Sequence, residues 1–294
     1  MPQKKTAVIA ISTGCLDYMD INPDNLFILR CKIIMEGESF DDFIEIDAKD
    51  FYDRLKNEPT LVPTSSMPPV GEIDETLHTV EDAGYESAII VTISSGMSGT
   101  FQTCKMARNA YEGNLDIHIV DSKNAAASEG FLSIEALRLV EEGHSPKTIV
   151  PYLERLATTR RQYFMVDNLR LLVKNGRLSG FSGMMGRLLK IKPILQVNDE
   201  GYIVPFEKVR THNKALRKMI DQILSDLETV ENFVITYDTS DNKDGYETVW
   251  NAIEEKYPNH TYYAAPITPV IGAHTGTGTI GVAYFDLDKA KSPE

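Results

Sequence analysis

In the first half of the chain, unbroken apolar runs alternate with stretches in which apolar residues recur at helical spacing. Ala7–Ile11 is a β-branched run, and Ser87–Ile93 is a continuous apolar run of the kind buried on both faces in a parallel sheet. Leu26–Met35 and Phe43–Ile46 predict two further strands, joined by the Gly37-containing turn Glu36–Ser39. Ala48–Asn57 carries Phe51 and Leu55 at helical spacing, and Val70–Ala83 predicts a helix stopped by Gly84. A helix from about Ser98 to Tyr111, the strand Ile117–Val120 and a helix over Ala127–Glu141 ending at Gly143 follow. Such alternation implies right-handed crossovers and an open, mostly parallel sheet flanked by helices.

The second half has another rhythm. Tyr163–Val166 reads as a strand and Asn168–Lys174 as a short helix ended by Asn175 and Gly176. Lys192–Val197 and Ile203–Val209 flank Asp199-Glu200-Gly201, a hairpin signal. Helix Asn213–Leu227, strand Phe233–Tyr237, helix Asp244–Lys256 and strand Thr261–Ala264 precede two closing strands, Val270–Ala273 and Ile280–Phe285. The expected class is therefore α/β: an N-terminal open, mostly parallel sheet over residues 1–160, then a C-terminal mixed or antiparallel α/β domain over residues 161–294.

Composition narrows the function. The chain has 294 residues, of which 42% are hydrophobic and 25% charged, which sets aside disorder, collagen and coiled coil. Its net charge of −13 argues against nucleic acid, because a duplex-binding surface would work against the protein's own field. Three widely spaced cysteines, Cys15, Cys31 and Cys104, fit neither a disulfide framework nor a zinc site and suggest the reduced thiols of a cytoplasm. The apolar stretch at residues 6–11 is too short for a signal peptide, and no stretch approaches the ~20 apolar residues of a membrane helix, so neither export nor insertion is expected.

Small hydroxyls and glycines concentrate in three segments: Pro63–Pro69, Ile93–Thr100 and Gly272–Gly278. In an open parallel sheet, ligands bind beyond the carboxyl ends of the strands. Ser94 and Ser95 are expected just after a strand and at the start of a helix, where hydroxyls and backbone N–H groups can receive an anion. Plain N-capping and turn chemistry explain most such loops taken singly. Gly276-Thr277-Gly278-Thr279-Ile280-Gly281 matches GxGxxG but precedes a strand-like run, so no dinucleotide unit fits. There is no Walker loop, no HExxH, no nucleophile elbow and no metal-ligand spacing among the histidines. The basic residues Arg170, Lys174, Arg177, Arg187, Lys190 and Lys192 form either a solvated helix face or a positive patch for an acidic or phosphate-carrying partner. Read from residues alone, three functions stay open: a carrier of an anionic ligand, a phosphate-containing small-ligand protein or enzyme, and a hydrolase with Ser95 or Ser98 as nucleophile and His274 as base.

Six segments in order resemble the DegV family, the fatty-acid-binding subunits of bacterial fatty acid kinase. They are TSSMPP at Thr64–Pro69, ISSGMSGTFQ at Ile93–Gln102, VDS at Val120–Ser122, NGRLSG at Asn175–Gly180, LLKIKPIL at Leu188–Leu195 and GAHTGTG at Gly272–Gly278. The resemblance implies two α/β domains, a lipid tunnel and one long-chain fatty acid whose carboxylate is held inside. It implies a carrier without catalysis, cofactor or metal of its own, which presents that carboxylate to a separate ATP-dependent kinase subunit, with room for transient contact at a membrane surface. Carried onto this chain, the carboxylate ligands are Thr64, Ser65, Ser94, Ser95 and His274 with Thr275, and Arg177 faces the kinase. Three positions depart from the family pattern. Ile11-Ser12-Thr13-Gly14 lacks the aspartate of Asp-Ser-Thr, Ser66-Met67 replaces the Gln of Thr-Ser-Gln-Pro, and Asn175 replaces the first glycine of the Gly-Gly-Arg turn, where it is expected to tolerate a positive φ.

Overall fold

The computed structural model describes residues 5–178 and 192–293. Arg187, Lys190, Met184 and the glycine-rich Ser182–Leu189 stretch lie outside the described residues, as do the ends of the Asn175–Gly180 and Leu188–Leu195 segments. The chain is α/β, and its described residues form three sheets.

The first is parallel throughout, ordered β2-β1-β6-β7 from Thr6–Ile11 (β1), Leu26–Leu29 (β2), Ser87–Thr92 (β6) and Asp116–Asp121 (β7). Every residue of β1 and β6 is buried, as their unbroken apolar runs require. The second is a small antiparallel sheet of Lys32–Met35 (β3), Glu38–Asp41 (β4) and Thr64–Ser66 (β5), with β3 in the middle. Leu26–Met35 is thus two strands in two sheets. Phe43–Ile46 forms no strand, because Phe43 sits at φ 70 and turns the chain.

The third sheet is mixed and six-stranded, ordered β10-β9-β8-β13-β11-β12. Its strands are Arg161–Met165 (β8), Ile194–Val197 (β9), Ile203–Glu207 (β10), Phe233–Thr239 (β11), Thr261–Pro266 (β12) and Ile280–Asp286 (β13). Only β11 and β12 pair in parallel. The expected hairpin joins β9 to β10.

Helices Ala48–Asn57 (α1), Val70–Asp82 (α2), Thr100–Ala110 (α3) and Ala127–Glu141 (α4) stand close to their expected places. A further helix, Pro146–Thr159 (α5), follows Ser145. Arg170–Lys174 (α6), His212–Leu227 (α7) and Lys243–Lys256 (α8) belong to the second half. The expected strand Val270–Ala273 is a helix, Pro269–Thr275 (α9). Pro269 occupies its first position, where the missing N–H is harmless, and Gly276 at φ 77 ends it. A short helix, Leu287–Ala290 (α10), ends the fold.

Helices α4 and α5 lie between the parallel and six-stranded sheets. One apolar core joins Val8 and Ile89 of the first, Phe131 and Tyr152 of the helices, and Val234 and Phe285 of the second. In return, Val270 and Ala273 of α9 join the core of the N-terminal half with Phe51 and Ile33. The halves are interleaved.

Candidate functional site

A cavity with about 820 Å³ of empty space, open mouth included, lies where the halves meet. Thr13 follows β1, Ile93 follows β6, and Ala125 and Ala126 follow β7, so its floor is the carboxyl edge of the parallel sheet. Phe164, Val197 and Ile203 of the six-stranded sheet and Ile271 of α9 supply much of its apolar wall. Ser65, Met97, Ser98, Arg177, His274 and Thr275 add its polar and flexible part.

Pairing of β5 with β3 sets Ser65 opposite Ile33, and α9 carries His274. Their side chains meet, Ser65 Oγ lying 2.7 Å from His274 Nε2, although the residues are 209 apart in sequence. Two brackets hold this arrangement. The Thr268 hydroxyl donates to Asp42 Oδ1 at 2.5 Å, fixing the start of α9. Asn175 Nδ2 donates both to Pro63 O (3.1 Å) and to Ala273 O (2.9 Å), tying the approach to β5 to the end of α9. Asn175 sits at φ −88 and the positive φ belongs to Gly176, so the departure from Gly-Gly-Arg supplies a side chain with work to do.

Burial, followed by repulsion from Arg177, pushes the His274 imidazole down to about 4, so it is neutral near pH 7. Its Nδ1 is buried and has no partner among the described residues, and no carboxylate orients the ring as a catalytic triad would require. Arg177 is exposed at the mouth, where Nε donates to Met97 O at 3.3 Å.

The other expected ligands stand elsewhere. Thr64 is exposed and is not among the lining residues. Ser94 is fully buried, and its hydroxyl donates to Gly201 O at 2.8 Å, closing the β9–β10 turn against the parallel sheet. Ser95 receives a bond from Lys123 Nζ at 3.4 Å, while its own N–H donates to Asp121 Oδ1. Neither serine lines the cavity, and neither starts a helix, since α3 begins at Thr100. Thr275 does line it, its hydroxyl donating back to Ile271 O at 3.3 Å.

Several lining residues escaped the sequence reading. Asp238 lies one residue before the end of β11, and its Oδ1 accepts from Ala127 N at 2.8 Å. Ala126 takes φ 57, ψ −143, a costly shape for a residue with a Cβ, to aim that N–H. Burial pushes the Asp238 carboxyl up to about 7. Thr13 donates to Oε1 of the fully buried Glu129 at 2.8 Å. A charged residue closing an apolar run was the available signal for Asp238. Gln162 and Cys31 offered none.

Among the described residues, no group of His, Cys, Asp or Glu could hold a metal ion, and no helix is long and apolar enough to cross a membrane.

The sequence profile of the DegV family, a family of uncharacterised proteins, matches residues 5–287. A DegV domain-containing protein of Staphylococcus aureus is 35% identical over 285 residues, covering 95% of this chain and 97% of the relative. The crystal structure of DegV from Bacillus subtilis, described as a fatty acid binding protein, superposes with a TM-score of 0.85 at 30% identity, covering 97% of this chain and 100% of that one. A fatty acid binding DegV family protein from Streptococcus agalactiae gives 0.88 at 28% identity, covering 97% and 99%.

Proposed function

This chain belongs to the DegV family, and from that premise we propose that its cavity holds one long-chain fatty acid and presents the carboxylate to a separate ATP-dependent kinase subunit. The observation that carries the reading is the Ser65–His274 pair set beside an apolar cavity. A fatty acid makes two opposite demands. Its tail gains about 0.8 kcal/mol per buried CH₂, which the apolar walls supply, although lost freedom consumes part of the gain. Its carboxylate must meet donors, because an unpaired buried charge is prohibitive.

Hydrogen-bonded to each other, Ser65 and the neutral imidazole of His274 keep one proton between them to donate, without a full counter-charge. Ser98 and Thr275 also line the cavity, and Arg177 at the mouth adds long-range attraction. A carboxylate held this way stays available as a nucleophile toward a phosphoryl group, whereas a tight charge-assisted pair with arginine would mask it. The chain is then a carrier, and the chemistry belongs to its partner. The likeness of the relatives described as fatty acid binding supports the ligand class.

The test is organic extraction of the purified protein followed by mass spectrometry. A stoichiometric long-chain fatty acid is expected from the wild type, with occupancy falling about tenfold or more in Ser65→Ala and His274→Ala, each of which breaks the pair that positions the donor for the carboxylate. Unchanged occupancy in both variants would remove the pair from the site. Arg177→Ala is expected to slow acyl-phosphate formation by the kinase more than it lowers lipid occupancy. Equal losses would make Arg177 a ligand of the carboxylate alone.

A further inference from the structure

Of the large apolar side chains exposed among the described residues, only Met67 also lines the cavity. At 42% exposure it meets solvent and interior at once, which places it at the mouth. The chain is stiff on either side of it. Ser65 and Ser66 are laddered to Ile33 and Lys32 of β3. Pro68 and Pro69 follow, and their rings fix φ at about −65° and restrict the residue before them. Pro69, at φ −62, leads directly into α2. Movement at this position therefore belongs to the side chain, which is unbranched and turns about several bonds.

That side chain spans from the end of β5 to the first turn of α3, where Thr103 Oγ1 donates to Met67 Sδ at 2.9 Å. Its tip rests on Gly99. A Cβ built there would stand 3.0 Å from Met67 Cε and 3.1 Å from Sδ, and it would meet nothing else beyond its own stretch of helix. Gly99 sits at φ −74, which any residue adopts, so the glycine serves space and not conformation. The latch is light. The Thr103 hydroxyl carries one proton and also stands 3.1 Å from Gly99 O, so when the sulfur leaves, that proton goes to the carbonyl and nothing is stranded. Met97 makes the contrast, since it lines the cavity too but packs into the apolar cluster of Phe164 and Leu195 and belongs to the wall.

We propose that the Met67 side chain is the gate of the cavity: docked on Gly99 and Thr103 it narrows the mouth, and swinging off them it passes a fatty acid while β5 and α3 stand still. This rests on the reading of the cavity as a fatty-acid site and adds what governs its loading and release. A strap that closes over the empty and the filled cavity alike stands in the path in both directions. It slows entry and exit by the same factor and leaves their ratio, the Kd, unchanged. A wall contact is made only once the lipid is inside, so its loss raises the exit rate alone. A thioether suits the gate, because it seals softly against hydrocarbon and gives up its berth at little cost.

Stopped-flow mixing of delipidated full-length protein with a fluorescent fatty acid reads both rates. Gly99 is not among the lining residues, and Gly99→Val fills the berth from outside. It is expected to speed association and release alike, by about fivefold, with Kd held within about twofold. Thr103→Val, which removes the proton from the sulfur and keeps the shape, is expected to act in the same sense more weakly. Met67→Ala is expected to speed association as well as release, and in that background Gly99→Val should add nothing, because Met67 is what the valine displaces. Should Gly99→Val fail to fold, the association rates of Met67→Ala and Thr103→Val decide. Faster release with association unchanged would make Met67 a wall contact and overturn the inference while the fatty-acid reading stands, and so would a Gly99→Val effect of equal size with and without Met67. Failure of the fatty acid to bind even the wild type would overturn both.

Discussion

Burial acts on His274 and Asp238 in opposite senses, and the two together set how stability responds to pH. The His274 imidazole titrates at about 4 in the folded chain against 6.5 unfolded. The unfolded chain therefore binds the proton first, and this contribution is lost as pH falls from about 6.5 to about 4. Asp238 holds its proton up to about pH 7 when folded but releases it near 3.8 when unfolded. Folding then takes up a proton in that window, so stability falls as pH rises through it, and the whole penalty stands above pH 7. Asp42, raised to about 6 by burial in spite of its bond from Thr268, adds in the same direction. Asp238→Asn keeps an oxygen for the Ala127 N–H and removes the charge. It is expected to raise the stability of the delipidated protein at pH 8, by up to about 4 kcal/mol, and to flatten the fall between pH 4 and 7. Urea midpoints across that range measure this. Parallel curves for variant and wild type would mean that Asp238 is already hydrated in the cavity.

At the scale of elements, what could be read in the sequence depended on whether a segment's pattern was long enough to have a period. α4 is apolar at nearly every turn and buried on both sides, as a helix sandwiched between two sheets must be, and its place was legible from Ala127 to Glu141. Val270–Ala273 was not. Four apolar residues fit a strand or one helical turn equally, and only Pro269 before them and Gly276 after them carry the decision. α5 was obscured by Pro151 within it. The site shows the same division. Ser65 and His274 were expected from their motifs and line the cavity, yet Ser94 and Ser95 sit in an equally glycine-rich motif and do not, Ser94 holding the β9–β10 turn and Ser95 bonding Lys123 and Asp121. Hydroxyl-rich loops serve ligands and backbones alike, and only the strand pairing tells which. The α4 sandwich leaves a mark of its own at Gly130, where a Cβ would come within 2.1 Å of Gly14 O. Gly130→Ala must push α4 off the turn after β1 and is expected to cost about 1–3 kcal/mol in urea unfolding. Gly71→Ala, in α2 with nothing within 4 Å, is expected to stabilise by up to about 1 kcal/mol. Equal effects of the two would show that α4 has slack against the parallel sheet.

For the whole molecule, the interleaving of the halves bears on how it unfolds and how it responds to ligand. The core between the sheets cannot stay dry if either sheet leaves, because Phe131 of α4 packs against Phe285 of β13 with ring centroids 4.8 Å apart. α9 is held by the other half through the Asp42–Thr268 bond and through Tyr52, whose hydroxyl donates to Ile267 O at 2.9 Å. Residues 1–160 and 161–294 are therefore expected to unfold as one cooperative unit. The chain's single tryptophan, Trp250, lies on α8 beside the six-stranded sheet, so its fluorescence follows that half while far-ultraviolet circular dichroism follows both. The two urea curves are expected to superimpose. A ligand that touches walls from both halves binds only the joined state, so a fatty acid at one hundred times its Kd should add about 2.7 kcal/mol and move both curves together. Fluorescence lost early while much of the dichroism persists, or a ligand that shifts one probe and not the other, would show that the six-stranded sheet stands alone and that the cavity belongs to one half.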